Sequence, residues 1–88
     1  MQPKEAFGLT IRRLRKDRGK SQETLAHESG LSLTSLARVE TGRQEVRFGT
    51  ILRLAAALEM KGQELIGEAE ETLRRAPRVK AVKKAVPH

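Results

Sequence analysis

A chain of 88 residues has room for one domain and little more. It contains no cysteine, which excludes a disulfide framework and a thiolate zinc site. Its formal net charge of +7 favours a polyanionic partner, while Phe7 and Phe48, its sole aromatics, are too few for the base-stacking platforms of single-strand and RNA binders.

The charge is unevenly placed. Residues 1–58 carry eleven Lys/Arg against six Asp/Glu (+5), residues 59–73 one Lys against five Glu (−4), and residues 74–88 six Lys/Arg and no acid (+6). The longest apolar run, Leu54 to Leu58, is far short of a membrane span. The opening Met1–Glu5 has no apolar h-region, so a secretory signal is not expected and a cytoplasmic setting is.

No sustained alternating pattern occurs, and the chain reads as all-α, with five short helices. The first is predicted from about Lys4 to Arg18, with Phe7, Ile11 and Leu14 on one apolar stripe and Gly19 ending it. Arg12, Arg13, Lys16 and Arg18 are expected as a solvated face. Ser21 is the predicted N-cap of a second helix over about Gln22–Glu28. Gly30 interrupts, Leu31 follows as a buried turn residue, and Ser32 caps a third helix over Leu33–Glu40, which stops near Gly42. The fourth helix, about Arg47–Leu58, is expected to bury Ile51, Leu54, Ala55 and Leu58. The fifth begins near Gly62 and runs to Arg75, supported by Glu70–Arg74 and Glu71–Arg75 pairs at i,i+4. Residues 1–75 thus form the expected domain. Residues 76–88, rich in Pro, Ala, Val, Lys and Arg, form an expected disordered basic tail, with Arg78, Lys80, Lys83 and Lys84 able to reach phosphates.

Helices two and three are short and closely spaced. Counted from Gln22, Ala26 is at position 5, Gly30 at 9, Leu36 at 15 and Val39 at 18. Two helices crossing at about 90–120° need a small residue at their contact and a turn residue that tolerates positive φ, which Ala26 and Gly30 supply. Leu36 and Val39 form the buried face of the third helix, leaving Leu33, Thr34, Ala37 and Arg38 outward.

Over about residues 7–66 the chain resembles the Cro/repressor (Xre-type) helix-turn-helix family. The segments that carry the resemblance are Ser21-Gln22-Glu23-Thr24-Leu25-Ala26, Ser29-Gly30-Leu31-Ser32, Val39-Glu40-Thr41-Gly42-Arg43 and Leu52-Arg53-Leu54-Ala55-Ala56-Ala57-Leu58. The resemblance is strongest to short stand-alone bacterial or phage regulators. It implies a compact lambda-repressor-like domain whose third helix enters the major groove of double-stranded DNA. Leu33, Thr34 and Arg38 match base-contacting positions, with Arg38 able to bond guanine O6/N7 in two places. Gln22, Ser35, Arg43 and Arg47 match positions that meet phosphates and set register. Arg15 and Glu40 match a structural pair joining helix one to the end of helix three.

The acidic fifth helix carries Leu65, Ile66, Ala69 and Leu73 on one side, an expected two-fold dimer interface that Leu58 and Met60 extend. The function implied is a sequence-specific transcriptional regulator, a repressor or autoregulatory controller, acting as a homodimer on a near-palindromic operator. The alternative is an antitoxin-type protein that neutralises a partner toxin, with DNA binding secondary. A sequence-blind nucleic-acid coater is a third reading. No metal or small-molecule cofactor is called for: His27 has no companion ligands, and no nucleophile–base arrangement or glycine-rich phosphate loop occurs.

Overall fold

The computed structural model describes residues 1–76 and contains α1 (Pro3–Asp17), α2 (Gln22–Ser29), α3 (Leu33–Glu40), α4 (Phe48–Ala57) and α5 (Gly62–Arg75). The tail expected over 76–88 lies, beyond Ala76, outside the described residues. Boundaries agree with the sequence reading to within a residue. At α4 the difference has a cause: Arg47 is extended, with φ −76° and ψ 155° typical of an N-cap, and Leu58 is the C-cap.

The starts are set by short side chains that accept orphan amides. Ser21 Oγ accepts from Thr24 N, and Ser32 Oγ from Ser35 N, both at 3.0 Å. In α1 and α5 the capping acceptor is a glutamate three residues in. Glu5 and Glu64 accept the backbone N–H of Gln2 and Lys61 at 2.7 Å. The first four helices end alike, with the chain turning into the left-handed region and a backbone N–H reaching back five residues. At α2 this is Gly30 with φ +74° and Leu31 N donating to Ala26 O at 2.9 Å. At α4 the same turn is made by Glu59, at φ 57°, where a side chain costs about 1–2 kcal/mol that glycine does not.

Helix α1 packs on α3 and α5, α2 on α3 and α4, and α4 on α5. Ile11, Leu25, Leu36, Leu54, Leu58 and Leu65 are completely enclosed where these faces converge. Ala26 is buried at the α2–α3 crossing, as its size requires, and Ser29 beside it satisfies its hydroxyl on Leu25 O at 2.6 Å. Leu31 and Ile51 are half-buried rather than buried, packing on the edge of the core.

Two arginines act at a distance. Arg18 Nε donates to Leu58 O at 2.7 Å and Arg53 Nε to Ser29 O at 3.1 Å, so each places a cation on the C-terminus of a neighbouring helix. Arg18, exposed as expected, therefore also has a structural contact.

The acidic α5 packs on α1 and α4 through Leu65, with polar contacts along its edge. Glu68 pairs with Arg13 of α1 at 2.8 Å, and one turn on Thr72 Oγ1 lies 2.7 Å from the buried Thr10 Oγ1. Glu71 accepts from both Arg74 and Arg75, which holds its carboxyl below the usual carboxylate range. Arg74 thus turns to Glu71 at i,i+3 and not to Glu70, which borders a groove instead.

Candidate nucleic-acid interface

The N-terminal turn of α3 stands clear of the core. Leu33 is 44% exposed, Thr34 and Arg38 are exposed, and Ala37 and Ser35 are half-buried. Thr34 and Arg38 lie one turn apart on the same outward face, since residues four apart on a helix are neighbours. The opposite face holds Leu36 and Val39 in the core, which fixes the rotation of the helix.

Three exposed arginines in and after α3 form no ion pair among the described residues. Arg13, Arg15, Lys20, Arg74 and Arg75 form ion pairs, whereas Arg38, Arg43 and Arg47 take part in none formed among the described residues. Arg43 follows Gly42 in the turn that ends α3, and its backbone N–H is tied to Arg38 O at 2.9 Å. Arg47 caps the start of α4 and is exposed. The three guanidiniums therefore come from one continuous stretch, the end of α3 through the start of α4.

Gln22 opens α2, where the first amide groups have no intrahelical acceptors. It is half-buried, and its Nε2 donates to Glu40 Oε1 at 2.8 Å. Glu40 is in turn held by Arg15, with Nε–Oε2 at 2.7 Å and Nη2–Oε1 at 3.0 Å. The sequence brought out the Arg15–Glu40 pair but not its link to Gln22, which spans 18 residues and leaves no periodic trace.

Exposed arginines without ion-pair partners suit a polyanion. Among the described residues, 1–76, no three His, Asp or Glu side chains converge as metal ligands. A family model described as a helix-turn-helix domain matches residues 6–66. The chain belongs to the helix-turn-helix family. An uncharacterized HTH-type transcriptional regulator, y4dJ of Sinorhizobium fredii, is 33% identical over 72 residues, covering 82% of this chain and 94% of that one. The HTH-type transcriptional repressor RghR of Bacillus subtilis is 36% identical over 66 residues, covering 74% of this chain, which spans about half (49%) of that repressor. The crystal structure of the restriction-modification controller protein C.AhdI from Aeromonas hydrophila superposes with a TM-score of 0.68 at 44% identity. It covers 70% of this chain and 94% of that one. The match spans α2 and α3, and the chain is a transcriptional regulator with a helix-turn-helix DNA-binding fold.

The expected dimer residues do not share one environment. Leu65 has no exposed surface and belongs to the core of the single chain, as does Leu58, so neither has area to offer a partner. Helix α5 is rotated so that Leu65 points inward and Ile66, 38% exposed, points out. Ile66, Ala69 and Leu73 line an open apolar groove of about 270 Å³, with Phe7, Val46 and Ile51 opposite. Phe48 and Leu52 also stand exposed on α4, at 69% and 44%, and Leu52 lies over Gly62, one turn before Ile66. Phe48 and Leu52 were not among the expected interface residues. Their signal was available: they sit i,i+4 on α4, off the stripe of Leu54, Ala55 and Leu58.

Proposed function

We propose that this protein is a sequence-specific double-stranded DNA-binding regulator, a repressor or autoregulatory controller, that acts as a homodimer on a near-palindromic operator. The observation that carries the reading is the outward face of α3, where Thr34 and Arg38 stand exposed, followed in the chain by the exposed Arg43 and Arg47; none of the three arginines forms an ion pair among the described residues. In the major groove Arg38 would bond guanine in two places, Thr34 a base edge or a thymine methyl, and Leu33 a methyl. Gln22, Ser35, Arg43 and Arg47 would meet phosphates and fix the register. RghR is named a repressor and C.AhdI a controller, which supports both forms of the regulatory role.

Arg38→Ala should cost about 1–3 kcal/mol on the specific site and relax preference at one base per half-site. Competition binding against a library of sites, after footprinting on DNA flanking the gene, checks this. Unchanged base preference would remove Arg38 from the readout.

The dimer reading rests on the apolar surface of Phe48, Leu52 and Ile66 and the adjoining groove, which a second copy would cover by two-fold symmetry. A two-fold pair of recognition helices matches a near-palindromic site. Ile66→Glu should give a folded monomer in sedimentation, with operator binding weakened because the half-sites lose their linkage. A folded variant that stays dimeric would move the interface elsewhere.

A further inference from the structure

The apolar groove is bordered on one side by Ile66, Ala69 and Leu73 of α5, which recur at i, i+3 and i+7. Phe7, Val46 and Ile51 form the other side. Its lining also includes two exposed carboxylates, Glu45 and Glu70, against one cation, Lys4. Neither acid forms an ion pair among the described residues. The groove is therefore an apolar trough with an acidic edge, on a chain whose net charge is +7.

The sequence after α5 carries the matching pattern. Val79, Val82 and Val86 recur at i, i+3 and i+7, with Lys80, Lys83 and Lys84 among them. At helical spacing the valines would make one apolar stripe. Two turns cannot hold a helix in water, where about 12–15 residues are marginal, so the stripe needs a surface to fold against.

The connection to that surface is short enough. Ala76, the C-cap of α5, is extended at φ −63° and ψ 151°, as a residue before proline prefers, so α5 stops there. Ala76, Pro77 and Arg78 then separate Arg75 from Val79, within the about 2–5 residues that join antiparallel helices. A return antiparallel to α5 sets Val79 opposite Leu73, Val82 opposite Ala69 and Val86 opposite Ile66, all in one register. Glu70 and Lys83 each directly follow the middle residue of their stripe, so the same register brings them to one side of the pair.

We infer that the groove is the docking site of residues 79–86 of this same chain, so that a second copy must displace them to cover it. A segment on so short a connection is present at a roughly millimolar effective concentration, so a weak apolar contact forms within one chain before two chains meet. Ile66 belongs both to the groove and to the surface assigned above to a second copy, which makes the two occupants rivals. The rivalry rests on the dimer reading; the docking does not.

The full chain tests both. It has no cysteine, so His88→Cys gives one attachment point for a nitroxide label. In dilute protein the label should broaden the ¹⁵N-correlated amide signals of Ile66 and Ile51. Val79→Ser/Val82→Ser/Val86→Ser lies outside the five helices, leaves their core intact and should abolish that broadening. No broadening, or broadening that the serine variant retains, overturns the docking. Equal broadening of ¹⁵N protein by a label on separate unlabelled-nitrogen copies would put a second copy's segment in the groove and overturns it as well. In sedimentation equilibrium the serine variant should dimerise about tenfold more tightly, the factor for a groove filled about nine-tenths of the time. An unchanged or weaker dimer, with the docking present, overturns the rivalry and moves the dimer interface off the groove. If neither protein dimerises, the dimer reading fails and the label still decides the docking.

Discussion

Arg15→Met alone should lower the free energy of unfolding by about 3–5 kcal/mol, and Arg15→Met/Glu40→Met should lose far less. The single substitution leaves the Glu40 carboxylate, 3% exposed, with Gln22 as its one remaining partner. Desolvating an uncompensated charge is expensive, whereas removing both charges removes the penalty with the attraction. A domain of this size has about 5–10 kcal/mol in total, so the single variant should unfold well below the natural protein in urea. Circular dichroism through the transition measures both. A single variant as stable as the double one would mean that the pair is hydrated in solution and that its buried geometry is not maintained.

The contrast between the two variants also separates stability from specificity. If the double variant keeps its fold yet binds DNA more weakly, the pair matters chiefly for the placement of Gln22 and α3. Loss of fold with retention of affinity per folded molecule would point the other way.

What could be read from the sequence was local in origin. Ser21 and Ser32 act through amides three residues on, and Gly30 through the conformation of its own backbone, so neither needs the rest of the fold to be known. The outward face of α3 was legible for a related reason: once Leu36 and Val39 are inside, Thr34 and Arg38 must be outside. The contacts that fix the helices to one another were not legible. Arg18 on Leu58 O and Arg53 on Ser29 O join residues 40 and 24 apart, and in sequence each arginine is one more surface cation. The acidic segment 59–73 was conspicuous by its charge, but its glutamates find their use in Arg13, the α5 N-terminus and the terminal arginines.

Helix α5 shows the limit most directly. Leu65, Ile66, Ala69 and Leu73 form one stripe at helical spacing, and periodicity cannot divide a stripe between a core and a second surface. Only the packing of α5 on α1 and α4 does so, by turning Leu65 inward and leaving Ile66 at the edge. A wide stripe on the last helix of a small domain is thus two faces read as one.

Gly8→Val should be among the most damaging single changes in the molecule, at about 3 kcal/mol or more. Gly8 lies where α1 crosses the end of α3. A Cβ there would sit 2.2 Å from Val39 O and 2.8 Å from Glu40 O. Both obstacles are backbone carbonyls, so no side-chain rotation relieves them, and the helices must part. Parting them moves the residue that carries Glu40, so the Arg15 and Gln22 contacts should weaken together with the α1–α3 packing. Even Gly8→Ala should be destabilising, against the ordinary helix preference for alanine of about 0.5–1 kcal/mol. Gly67→Ala on α5 is the control, because nothing lies within 4 Å of its added methyl. It should stabilise by about 0.5–1 kcal/mol, the intrinsic preference unopposed. Chemical denaturation of the two alanine variants should therefore move the midpoints in opposite directions. A midpoint that rises for Gly8→Ala as well would show that α1 and α3 do not approach as closely in solution as their carbonyl contact requires.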